Sequence, residues 1–535
     1  MDTLPIVVLQ VIVYHSDPLD RVCLLLTCQR FKTTLLSRKL NEWSSADDSK
    51  IYLSGESTDR RSLFARGDDM DFGLETLPPS ITSLTSVFHR DQIDDYEQMA
   101  IDDVLPPSLT YLSFSNKFDR TIPPGLLPSS ITSLSFGSQY NRVINVGVLP
   151  ASLKVLSFGS WFNRPIIPGS LPDSLTVLSL QGFRYNKPFD SPGIIPRSLI
   201  TLKLGSSFNH SLFGILPSTL RTLGLGYSFD QELSCDWLPD SLTELCWDPN
   251  AHLPSFSNQL PTSIKSLKFG AMYNRVLIPG SLPRALESLH FERDYNQVIS
   301  TGLLPSTLTS LHFGMDFNQV ITEGMLPESL IDIQFGYDFD QVINHNTLPS
   351  TNLQSLSFGK GYKKPISPYT LPVSLTSLAL HNPKYQEDIG PNVLPRSLVK
   401  LDVGSVMIKN ISFPPALRIL NLSRGWDKSL MTPIPSSVDT MWIVGGMDNQ
   451  DIPYLPSLCL NVLRVHLVSS NSRSGSLRTK ILLDLIPNVQ TYIITFSYDW
   501  TIQEMIIRRI SPKSAITLTT YEELPSEHIL NILSL

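Results

Sequence analysis

Residues 304–325 read LPSTLTSLHFGMDFNQVITEGM, with apolar side chains at Leu304, Leu308, Leu311, Phe313, Phe317, Val320 and Ile321. In extended chain, residues two apart share a face. Leu311 and Phe313 therefore predict a short strand with one buried side, while Ser310 and His312 look out on the other. The return path contains Pro, Gly and Asn, and its roughly 16 residues leave no room for a full crossover helix. Turns, polyproline-like pieces and single helical turns are expected there.

The same pattern extends in both directions. Its Leu-Pro pair first places a proline at Pro78 and last at Pro456, with Ile195-Pro196, Phe413-Pro414 and Ile434-Pro435 filling gaps. This gives eighteen units, most of them 22 residues apart and the rest 19 to 28. A fixed period means stacked units, because no single unit can bury its own apolar face. At about 4.8 Å per parallel strand, eighteen units predict an elongated, curved rod of roughly 80 to 90 Å. An aromatic followed by Asn or Asp recurs after the strand, as in Phe118-Asp119, Tyr140-Asn141, Tyr295-Asn296 and Phe317-Asn318. The short amide suits hydrogen bonds to turn backbone in its own unit and the next.

Composition narrows the function. The 535 residues include 42 Lys and Arg against 49 Asp and Glu, a net charge of −7, the wrong sign for a chain that neutralises a nucleic-acid backbone. A hydrophobic content of 41% excludes disorder. Cys23, Cys28, Cys235, Cys246 and Cys459 have no regular spacing and form no C-x-x-C pair, so neither a disulfide framework nor a zinc cage is written here. Met1-Asp2-Thr3 lacks a basic leader region, and no apolar run is long enough to span a bilayer. A cytosolic location, or a nuclear one, is expected, with no membrane partner and the sequons at Asn209, Asn410 and Asn421 unused.

The consensus LPxSLxxLxFGxxFNxxIxxGxLP, running from Leu77 to about Trp442, resembles the FNIP repeats known chiefly from social amoebae and some giant viruses. These are relatives of leucine-rich repeats. The resemblance implies an α/β repeat protein: a leucine-rich-repeat-like solenoid of short parallel strands over residues 77–461. Residues 1–43 lie outside the pattern. Asp17-Pro18 is a helix start, followed by Leu19, Val22, Cys23, Leu26 and Arg30 at three- and four-residue steps. That segment is similar to an F-box, with Leu4-Pro5, Leu9 and Ile12 resembling its first helix, although Val7 stands where Glu is usual and His15-Ser16 replaces an apolar step. The resemblance implies docking to a Skp-type adaptor of a cullin ubiquitin ligase through Leu4, Pro5, Leu9, Val22, Leu26 and Phe31. A plain helical cap on the solenoid is the alternative, and the two are compatible. Residues 44–76 read as a linker or a degenerate entry unit. Residues 462–535, with LRTKILLDLIPNVQTYIITF, TIQEMIIRRIS and SAITLTT, suggest a C-terminal α/β cap of alternating helix and strand.

No nucleophile elbow, phosphate loop, zinc-protease motif or EF-hand loop is present, so the chain reads as non-enzymatic, without cofactor or metal. The open strand face is the candidate site. Early outward pairs are small, such as Ser133 with Ser135. Later ones become Glu244 with Cys246, Ser266 with Lys268, Ser288 with His290, Ser310 with His312, and Asp332 with Gln334. Cys246, His290 and His312 carry metal-ligating atoms, but Lys268 on the intervening rung opposes a cation. The stripe Glu244, Lys268, His290, His312, Asp332 and Gln334, on the expected concave side, is the predicted contact for a target protein. A solvated face without a partner is the alternative.

Overall fold

The computed structural model describes residues 62–64, 81–87, 105–191, 193–231, 237–247, 260–403, 411–423, 434–446, 459–469, 488–498, 501–511, 514–521 and 524–534. These fall in two compact units, one ending at Leu417 and the other beginning at Arg418. Among the described residues there is no helix.

In the unit ending at Leu417, strands β1 (Ser62–Phe64), β2 (Ser83–Val87) and β3 (Tyr111–Phe114) begin a parallel ladder that runs on to β16 (Lys400–Val403). Its later rungs include β9 (Glu244–Trp247), β10 (Ser266–Phe269), β11 (Ser288–Phe291), β12 (Ser310–His312), β13 (Asp332–Gln334) and β14 (Ser355–Phe358). Register follows the repeat: Leu267, Leu289, Leu311, Ile333 and Leu356 stand side by side. Leu308, Leu311, Phe317 and Ile321 are fully buried and Phe313 nearly so, which is the core expected from residues 304–325. Val320 differs. It is 52% exposed, in a row with Val276, Val298 and Val342. Consecutive residues in extended chain point to opposite sides, so Ile321 takes the inward place and Val320 the outward one.

Three side-chain ladders lock the rungs together. Phe313 stacks on Phe317 within a unit at 3.9 Å between ring centres, and Phe317 stacks on Phe339 of the next at 6.1 Å. Each such pair adds about 0.5–1.5 kcal/mol beyond the area it buries. The Asn ladder is the second: Asn318 N–H donates to Asn296 Oδ1 at 3.0 Å, and Asp340 N–H to Asn318 Oδ1 at 2.9 Å. This is the role expected for the recurring Asn, and Asn209 of the first sequon serves in the same ladder. The third is made of hydroxyls, as where Ser329 Oγ donates to the Leu308 carbonyl at 2.6 Å and Thr307 Oγ1 to that of Leu286 at 2.8 Å.

Two kinds of glycine serve the rungs for different reasons. At Gly336, after the strand, a Cβ would overlap the carbonyl oxygen of Gly314 in the preceding unit and stand 3.0 Å from Met315 Cα. Close backbone approach excludes a side chain. At Gly324, before the next Leu-Pro, the surroundings are open but φ is +78°. Units without that glycine place Asn346, Tyr369 or Asn392 in the same left-handed region.

In the unit beginning at Arg418, β17 (Ile419–Ser423), β18 (Thr440–Gly446), β19 (Leu460–Ser469) and β20 (Val489–Tyr498) are parallel. An antiparallel meander follows, of β21 (Thr501–Ser511), β22 (Ser514–Tyr521) and β23 (Leu524–Ser534). The expected α/β alternation is thus corrected where it is described, because TIQEMIIRRIS forms β21. Its Ile spacing fits a helix, but it is rich in β-branched residues. Pairing of Thr501 with Tyr498 sets it directly beside β20, and that tertiary partner overrides the local period. The helices expected in residues 1–43 and around LRTKILLDLIP lie outside the described residues. Of residues 44–76 only β1 is described, and it pairs with β2 as one repeat strand pairs with the next. No helix among the described residues is long and apolar enough to cross a membrane.

Candidate functional site

Alternation along each strand sends Leu and Phe inward and leaves the residues between them half-buried on the open face, as in the SLKF of β10 and the SLHF of β11. Strand register then sets Cys246, Lys268, His290, His312 and Gln334 on successive rungs in one row. The neighbouring row holds Glu244, Ser266, Ser288, Ser310 and Asp332. Each predicted open-face residue is where the period put it.

Four of the six join one network. Lys268 Nζ lies 2.5 Å from Glu292 Oε1, and His290 Nε2 lies 3.7 Å from the same oxygen. The rings of His290 and His312 are 5.2 Å apart, and His312 Nε2 is 2.7 Å from Asp332 Oδ2. Ser310 Oγ lies 3.4 Å from His312 Nε2. Partial burial, then Lys268 and His312, lower the His290 pKa against the opposing pull of Glu292. The bond from His312 leads the influences that hold the Asp332 carboxyl below the usual carboxylate range, and it outweighs the burial that opposes it. Glu244 takes no part and instead accepts a bond from Thr222 Oγ1 at 3.1 Å. Gln334 is exposed beside the network.

Glu292 was missed because it lies one residue past the strand. The legible signal was a break in pattern: Phe291-Glu292 stands where neighbouring units have Phe313-Gly314 and Phe335-Gly336. Such a network of donors and carboxylates can form directed, charge-assisted hydrogen bonds with a protein surface. Among the described residues no group of three His, Cys, Asp or Glu is placed to hold a metal ion. The adaptor-facing residues Leu4, Pro5, Leu9, Val22, Leu26 and Phe31 lie outside the described residues.

The FNIP repeat family matches residues 118–160, 162–207, 208–246, 255–291, 273–316, 317–361, 350–383 and 362–405. No curated protein matches the chain. Among solved structures, the crystal structure of CroV588, described as a novel circular LRR protein, is 30% identical with a TM-score of 0.57. The match covers 80% of this chain and 67% of that one. With repeat matches over more than half its length and the same parallel ladder, the chain belongs to the FNIP repeat family.

Proposed function

We propose that this chain is a non-enzymatic protein-interaction scaffold whose open sheet face, around Lys268, Glu292, His290, His312 and Asp332, receives a target protein. One observation carries the reading. The face is built from in-register strands that are Ser-rich in early rungs such as Ser133 and Ser135, then switches to charged and imidazole side chains on adjacent rungs. The ladder needs none of these side chains for its own core, since their strand neighbours Leu267, Leu289 and Leu311 fill it. Solenoids use extended faces of this kind to bind other proteins.

The F-box-like residues 1–43 extend the proposal: the chain acts as the substrate-recognition subunit of a Skp–cullin–F-box ubiquitin ligase. The sequence resemblance alone supports that step. Its test is co-purification of the full-length protein with a Skp adaptor, compared with Phe31→Ala and with a Leu9→Asp variant. Retained target capture together with no adaptor binding leaves a scaffold without ligase association. The face itself is tested by replacing Lys268, His290 and His312 together with Ser, the residue of the early rungs. Loss of capture by a folded variant is the expected result, and full capture refutes the face.

A further inference from the structure

Charge is unevenly distributed along the repeats. Residues 105–230 contain ten Lys and Arg against four Asp and no Glu, in a chain whose total charge is −7. Part of this excess lies in a row on the turn after the strand. The residue following each Asn-ladder position is Arg120, Arg142, Arg164 and Lys187 on consecutive rungs, as the ladder bonds from Asn141 to Asp119, Asn163 to Asn141 and Asn186 to Asn163 establish. On the next two rungs the same position is His210 and Gln231. In later units it is Arg275, then Gln297, Gln319 and Gln341, whose Nε2 bonds back to the preceding Asn carbonyl and amide, then Lys364, which Asp340 already pairs.

The arginines do the glutamine's work with one nitrogen. Arg164 Nε donates to the Asn141 carbonyl at 2.9 Å, as Arg142 Nε does to that of Asp119 at 3.1 Å, which leaves the two Nη groups of each guanidinium beyond the ladder. On the first of these rungs the molecule shows what belongs there, for Asp119 Oδ2 sits 3.0 Å from Arg142 Nη2. On the next rungs the ladder residue is a neutral Asn. Among the described residues no carboxylate lies within ion-pair distance of Arg164, Lys187 or Arg184. Beside the row, backbone bonds from Trp161 to Ser138 and from Arg184 to Ser160 align a second one. Trp161 is 45% exposed and Phe183 71%, with Arg184 Cζ 4.6 Å from the centre of the Trp161 ring. Exposed Trp and Arg are the residue types that dominate binding energy in protein interfaces.

We infer that this ridge, Arg164, Arg184 and Lys187 around Trp161 and Phe183, binds an acidic segment of a partner protein, whose carboxylates take at Arg164 and Lys187 the place that Asp119 takes at Arg142. Forked guanidinium–carboxylate pairing fits Arg and matches the mode already present. Four rungs extend over about 15 to 20 Å, the reach of about five or six extended residues. A longer polyanion would run along the row onto the next two rungs, where the cations give way to His210 and Gln231. That favours a short acidic peptide over a nucleic acid. The ridge lies on the turns of early units, so it is separate from the open-face network and does not depend on it.

The test uses the full-length protein and a fluorescein-labelled peptide of mixed Glu and Leu, read by fluorescence anisotropy. Expected is saturable binding that weakens as salt rises, and that weakens about tenfold or more in the triple variant Arg164→Gln, Arg184→Gln and Lys187→Gln. Gln is the residue that later units use in the Arg164 row, so folding is expected to persist, with circular dichroism as the check. Should the triple variant fail to fold, salt dependence and competition measured on the natural protein decide. A peptide with Lys in place of Glu must not compete. Three results overturn the inference: no binding of the acidic peptide, equal binding by the folded variant, or tighter binding of polyuridylate than of the peptide.

Discussion

Gly336→Ala adds one methyl group at a turn where the rungs are in backbone contact. Its Cβ would overlap the Gly314 carbonyl oxygen, and the neighbouring backbone at Met315 Cα, 3.0 Å away, cannot rotate aside as a side chain could. The turn must lift off the rung below. Doing so strains the Asp338 N–H bond to the Met315 carbonyl, now 2.7 Å, and the Asp340 N–H bond to Asn318 Oδ1 at 2.9 Å. Each such bond contributes about 1 kcal/mol, and overpacking of a filled site costs about 1–3 kcal/mol, so the change should cost about 3–5 kcal/mol at this interface. Gly324→Ala, in the same repeat unit as the neighbouring Gly314, meets nothing closer than Thr301 Cγ2 at 3.9 Å. It should cost only the left-handed penalty of about 1–2 kcal/mol. Hydrogen exchange with mass spectrometry reads the two sites separately: protection around β13 and β14 should collapse in Gly336→Ala while rungs near residue 150 stay protected. If Gly336→Ala exchanges like the natural protein, or Gly324→Ala proves the more damaging, close rung approach is not what selects that glycine.

Leu311→Ala empties a fully buried site and should cost about 2–5 kcal/mol, melting its segment in a thermal scan that departs from two-state shape. Tyr295→Phe removes a buried hydroxyl that has no protein partner, so local stability should hold or rise by up to about 1–3 kcal/mol, read by exchange at β11. Because His290 in the folded chain is held below its ordinary pKa, the unfolded segment takes up a proton more readily once pH falls below about 6.5. Protection of β11, corrected for intrinsic exchange, should therefore be weaker at acid than at neutral pH. His290→Gln should reduce that dependence, leaving the part due to Asp332, whose carboxyl is held below the usual range.

The repeat made most of this molecule legible. Leu311, Phe313 and Phe317 announce strand and core by spacing alone, because every unit must solve the same packing problem. Asn296 and Asn318 were readable as ladder residues for the same reason. What local period could not show was any choice settled by a neighbour outside the unit. β21 carries a helix-compatible pattern and is a strand because β20 lies beside it. Glu292 reaches Lys268, a rung away, through a departure from the Gly position that consensus reading treats as noise. Arg142, Arg164 and Lys187 likewise become a row only after the Asn bonds fix which residue follows which.

The ladders also determine where recognition can be written. In residues 304–325, packing claims Leu308, Leu311, Phe313, Phe317 and Ile321, rung contact claims Gly314, and turn geometry claims Gly324. Thr307 and Asn318 are committed to bonds with adjacent units. The positions left to vary include the outward strand residues Ser310 and His312, the turn residues Met315 and Asp316, and Gln319, whose bond to Asn296 an Arg can replace through Nε as Arg164 does to Asn141. Apart from Glu292, which stands at the Gly314 position, both proposed surfaces use only such positions, one on the sheet face and one on the turn. A partner specificity can therefore change by substitution at one rung without touching the core of that rung. It also follows that losses of binding and losses of folding should separate by position within the unit: changes at the His312 or Arg164 position should act on capture, and changes at the Leu311 or Gly336 position on protection.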